Sequence, residues 1–178
     1  MDLTAFQQVT PVAGVLSLQL LEHTPFELDL PNRRLILNPA SARKAENATQ
    51  IHVALVRQHP ATLEIYVPIF LAGERLGWAQ LDTGSPQTYL HAWWKPLLRQ
   101  HGHKLYTREQ RSWTGRRDSV EYWSVNGLAM LDPAATRDSA RVEVGAIVPD
   151  AVIGLDWLRQ GVLSCDLDAS SCSFIRTR

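Results

Sequence analysis

Asp82-Thr83-Gly84-Ser85 stands at the end of an apolar run, and an apolar-apolar-glycine triplet, Val152-Ile153-Gly154, follows about seventy positions later. A carboxylate that leaves a strand on a tight turn can take a proton from water. Hydrolysis of a peptide without a metal or a nucleophilic side chain needs a second carboxyl, protonated, to polarise the carbonyl. Two carboxyls about 3 Å apart cannot both ionise, so such a pair shares one proton and titrates as a unit. The chain holds one Asp-Thr-Gly; Asp118-Ser119-Val120 and Asp138-Ser139-Ala140 lack the glycine. A homodimer with two-fold symmetry, contributing Asp82 from each chain, follows if this chemistry is real. The plain alternative is that Asp82 caps a turn, because Asp and Gly are ordinary turn residues.

The elements around these residues read as strands. Apolar residues at 63, 65, 67, 69 and 71 have the period of two expected of a half-buried strand. Ala72-Gly73-Glu74-Arg75 then turns the chain into Leu76–Leu81, a hairpin that delivers Asp82. Gly84 is expected to take backbone angles closed to other residues. Upstream, Ile51–Val56 reads as one strand ended by His59-Pro60, and 38–50 as a polar linker. Downstream, Ala92–His101 reads as a short helix that begins near Trp94, because Pro96 is tolerated only in the first turn, and stops at Gly102. Trp93, Trp94, Leu97 and Leu98 are expected to pack on the sheet. Final strands are expected over Ala140–Val148 and into Val152–Gly154.

Hairpin, aspartate loop and triplet together resemble the retropepsin-like aspartic proteases, the single-lobe branch of the pepsin superfamily, over roughly residues 50–178. The resemblance implies a mostly-β, closed barrel with one or two short helices. It implies Asp82 as catalytic carboxylate, Thr83 hydrogen-bonding across a dimer beneath the two loops, and Gly84 leaving room and donors beside the carboxylate. Ser85 is closer to the pepsin form of the loop than to the retroviral one. Val152, Ile153 and Gly154 would be the brace. Tyr106–Leu131 corresponds by position to the flap that closes over a bound peptide, with Trp113, Thr114 and Gly115 near its tip. A peptide or protein substrate bound in extended form is implied, and no metal or organic cofactor; the alternative is the same fold kept as a catalytically silent dimerisation or peptide-binding module, or as one lobe of a longer two-lobed protein.

At 178 residues the chain fits one domain with an extension, residues 50–178 and 1–49. A formal net charge of zero makes no electrostatic case for nucleic acid or an anionic membrane. His101 and His103 have no third ligand nearby and read as solvated side chains. The run Val12–Leu21 is short and no lysine or arginine precedes it, so neither a signal peptide nor a membrane span is expected, which favours a cytoplasmic location. Cys165 and Cys172 face each other if 164–174 is a hairpin tipped by Asp168-Ala169. They are expected to be unbridged thiols; a bridge would imply an oxidising compartment, periplasmic or secreted.

One pattern has two readings. Leu16–Leu37 aligns without a gap onto Ile153–Phe174, with Leu18, Leu21, Asp29 and Leu30 identical to Leu155, Leu158, Asp166 and Leu167. Either the chain opens with the closing part of another, truncated half-lobe, Ser17 standing where Gly154 stands, or this is an ordinary N-terminal hairpin turning at Leu30–Arg34.

Overall fold

A computed structural model describes residues 17–39, 48–59, 62–111, 117–131, 140–145, 147 and 149–177. The alternating run is strand β5 (Thr62–Leu71), and Leu63, Ile65, Val67, Ile69 and Leu71 all point into the core. Each such buried aliphatic contributes roughly 1.5–3 kcal/mol over leaving it in water. Ala72 and Gly73, at φ 51° and 86°, form the two-residue turn into β6 (Glu74–Leu81). Positive φ at both positions matches the twist of the flanking strands. Pro68, with no amide hydrogen to donate, falls between the stretch of β5 paired with β4 (Ala54–His59) and that paired with β10 (Leu128–Met130).

The larger sheet continues through β12 (Ala151–Ile153), β7 (Tyr89–His91), β11 (Ala140–Gly145), β9 (Arg117–Val125) and β8 (Gly102–Arg111). Its order is β10-β5-β6-β12-β7-β11-β9-β8, with β4 also on β5. The fold is mostly β, as expected, but among the described residues the sheet is open: β10 and β8, at its two ends, do not meet to close a barrel. The Tyr106–Leu131 stretch holds most of the long β8–β9 hairpin and, in β10, a strand on β5, while Trp113, Thr114 and Gly115 fall outside the described residues.

A 3₁₀ turn, Ala92–Trp94, leads into helix α1 (Lys95–His101), with Pro96 in its first turn and Gly102 after its end. Leu98 is buried and the Trp94 indole donates to the Asp150 carbonyl at 2.9 Å. Trp93, expected on the sheet, is instead exposed against the His91 ring. The 3₁₀ turn points it outward while its neighbour turns in.

The second sheet runs β2 (Arg34–Leu37), β1 (Phe26–Asp29), β13 (Gly161–Asp166), β14 (Ser171–Arg176) and β3 (Thr49–His52). The single strand expected over Ile51–Val56 is therefore two strands in different sheets. The break is at Val53, whose amide donates to the Ser170 carbonyl at 3.2 Å. Cys165 and Cys172 face each other as the hairpin requires, and they are bonded, which corrects the expectation of free thiols. The opposed register brings the two sulfurs into reach across adjacent strands.

The aligned segments have the same local structure at residue n and residue n + 137. The 3₁₀ turn Leu18–Leu21 matches the short helix α2 (Leu155–Leu158). Leu20 N–H donates to the Ser17 carbonyl at 3.1 Å, and Trp157 N–H to the Gly154 carbonyl at 3.2 Å. Asn32 N–H donates to Asp29 Oδ1 and Ala169 N–H to Asp166 Oδ1, both at 3.2 Å. Arg33 and Ser170 both have positive φ, at 55° and 48°. Strands β1 and β13 pair antiparallel with Glu27 opposite Ser164, its own counterpart. Hairpins β1–β2 and β13–β14 are thus related by a local two-fold axis through that pair.

Candidate active site

Strand β6 ends at Leu81, and Asp82 leaves the sheet with its amide donating to the Ile153 carbonyl at 3.1 Å. Strand β12 lies parallel to β6, with Val152 opposite Gln80 and Ile153 opposite Leu81. The loop and the triplet expected to brace it are therefore brought together. The Leu155 amide donates to the Ser85 carbonyl at 2.8 Å, so the N-terminal end of α2 holds the far side of the loop. Gly154 is required by closeness: a Cβ there would stand 2.2 Å from the Gln87 carbonyl oxygen and 2.8 Å from that of Ser85.

The Asp82 carboxylate is oriented by its own loop. Oδ1 accepts the Gly84 amide at 2.7 Å and Oδ2 accepts the Ser85 hydroxyl at 2.8 Å. Gly84 does not have the positive φ expected of it. Its side chain is absent for a different reason, since a Cβ would lie 3.0 Å from Asp82 Oδ1. Thr83 and Gly84 are exposed and Asp82 is half-buried.

Thr88 belongs to no motif, yet it ties three parts of the site. It is fully buried; its hydroxyl donates to Asp156 Oδ1 at 2.8 Å and accepts the Gly154 amide at 3.2 Å. Its carbonyl accepts the Glu143 amide at 3.0 Å. A lone threonine before a strand carries no sequence signal for this; only the fold brings 88, 154 and 156 together.

Two cavities adjoin the loop. One, of about 460 Å³, is largely apolar, and its lining includes Asp82, Thr83, Leu18, Leu21, Phe26 and Leu35. The other, of about 400 Å³, lies between Pro86-Gln87 and the β8–β9 hairpin, and includes Arg108, Glu109 and Tyr122. Beside it, burial and then Glu143 push the Tyr89 phenol up to about 12. Across the sheet, burial and then a 2.9 Å hydrogen bond to Glu64 push Tyr66 up to about 12.

No protein-family profile and no curated protein matches the chain. Among solved structures it is similar to a retropepsin-like aspartic protease from Rickettsia conorii, with 16% identity over 71% of this chain and 97% of that one, at a TM-score of 0.47. It is also similar to basic 7S globulin from soybean, with 14% identity over 84% of this chain and 50% of the globulin, at a TM-score of 0.49. Both likenesses are of fold alone.

Proposed function

We propose that this chain supplies Asp82 as one half of the carboxyl pair of an aspartic endopeptidase. The observation that carries the reading is the Asp82 carboxylate itself: half-buried at a cavity, held by the Gly84 amide and Ser85 hydroxyl of its own loop, and braced from below by Ile153. An aspartate that only capped a turn would not need a parallel strand and a helix end to fix its loop.

In the reaction one carboxylate takes a proton from the attacking water while the other, protonated, donates to the substrate carbonyl; the roles reverse when the amine leaves. Gly84 N–H and Ser85 O–H hold the Asp82 carboxylate in place and aim it. The peptide lies extended between the loop and the β8–β9 hairpin, in the cleft beside Gln87 and Arg108, as an added strand. That hairpin acts as the lid, excluding water during the chemistry.

The second carboxylate comes from outside this copy's described residues. A homodimer is one source, and a full chain that stays monomeric would overturn it. A separate partner lobe is a second reading, favoured by β1, which already occupies in cis the edge of β13.

The test uses the full chain over a concentration series, and a tandem chain in which a copy of residues 48–153 leads into Ser17. An assembly holding two loops is expected to cleave unfolded casein, and Asp82→Asn to slow this by roughly 10²–10⁴-fold. If both proteins fold and neither cleaves casein or binds a pepstatin-type inhibitor, the hydrolase reading falls.

A further inference from the structure

The local two-fold through Glu27 and Ser164 determines what can complete the site. On one side of the axis, α2 and Gly154 brace the Asp82 loop, and β3 pairs with the outer edge of β14 through Thr49–Phe174 to His52–Ser171. On the other side, Ser17 and Leu18–Leu21 stand in the place of Gly154 and α2, and β2 in the place of β14. Among the described residues no strand pairs with the outer edge of β2, and no aspartate loop rests on Leu18–Leu21. The apolar cavity adjoins this turn, and Leu18 and Leu21 line it together with Asp82 and Thr83. Leu20, Leu35 and Leu37 are exposed on this side at 69, 41 and 51%.

We propose that residues 17–37 form the docking surface for a partner lobe that carries a second Asp-Thr/Ser-Gly loop and an open-edged strand, and that lacks a closing hairpin of its own. The proposal rests on the reading of Asp82 given above and names the partner of that site. The partner strand lies antiparallel on β2, as β3 lies on β14. Its aspartate loop rests on the Leu18 amide, the counterpart of the Leu155 amide that holds Ser85. Ser17 carries a Cβ where Gly154 has none, so the partner loop stands farther out than Gln87 does from Gly154.

An intact second copy does not fit this position. The operation that places its Asp82 loop beside Leu18–Leu21 also carries its β13–β14 hairpin into the space that β1–β2 already fills. The alternation of an antiparallel ladder identifies the groups a partner strand meets: Asn38 N–H points inward to the Pro25 carbonyl at 2.8 Å, so the Leu35 and Leu37 amides point to the open edge.

Two measurements on the full chain test the proposal. Sedimentation across a concentration series is expected to give a monomer that does not cleave casein. Cleavage by the full chain alone that is lost in Asp82→Asn, from a monomer or a homodimer, overturns it. The second measurement adds a synthetic peptide of residues 48–54, the β3 sequence, to the isotope-labelled chain at millimolar concentration. Amide shifts are expected at Arg34–Asn38 and to disappear in Leu35→Pro, which removes one outward donor. No shifts there, or shifts confined to other strands, overturn the proposal. The peptide reports docking whether or not Asp82 is catalytic, so the two readings fail separately.

Discussion

At the level of single residues, the site depends on groups that hold the loop more than on the loop's own sequence. Thr88 accepts one hydrogen bond and donates another inside the core, joining Gly154 to Asp156. Thr88→Val keeps the shape and removes both bonds, leaving the Gly154 amide and one Asp156 oxygen without that partner. A buried polar group left unsatisfied costs about 1–3 kcal/mol. Urea unfolding of Thr88→Val is expected to show a loss in that range, with an unchanged m-value, whereas Thr88→Ser recovers most of it. Asp82 and Ser85 were legible because their types and order carry chemistry. Thr88 was not, because its importance comes entirely from residues 66 and 68 positions away. Gly84 was legible as a residue but not in its reason: it makes room for the carboxylate rather than supplying an unusual φ.

At the level of elements, alternation and glycine placement revealed most of what positions the site. The β5–β6 hairpin follows from five apolar residues in alternate places, and the brace from two apolar residues before a glycine. The split of β3 from β4 was hidden because Ile51–Val56 is apolar enough to satisfy either sheet, and only Ser170, over a hundred residues on, takes the Val53 amide. Sheet closure was hidden for a similar reason, since no local pattern reports which strands end a sheet. Gly154→Ala tests the brace as an element. Its Cβ meets the backbone of Gln87 and Ser85, which cannot move aside without shifting the aspartate loop. Overpacking of this kind costs typically 1–3 kcal/mol or more. The expected outcome is a lowered thermal midpoint together with faster hydrogen exchange at the Asp82 and Leu155 amides. An equal midpoint with unchanged exchange would show that the contact is not tight.

At the level of the whole molecule, the larger sheet carries one transverse row, Tyr66, Gln80, Val152, Tyr89 and Glu143, in register across five strands through the base of the aspartate loop. The phenols in this row titrate near 12 in the fold, for burial first and then for Glu64 or Glu143, against about 10 in an unfolded chain. For an acid whose folded pKa is raised, the unfolded state ionises first. The contribution is complete below pH 10 and is lost as the pH rises through 10 to 12. Stability to urea is therefore expected to fall over that window. Tyr66→Phe with Tyr89→Phe should flatten the fall, because neither ring can then ionise in either state. The double variant starts lower at neutral pH, since Glu64 and the buried Glu143 lose a donor, so the slope against pH rather than the absolute stability is the quantity that decides. A slope equal to that of the unaltered chain would mean that the alkaline limb arises from other groups, and that this row does not couple the base of the site to global unfolding.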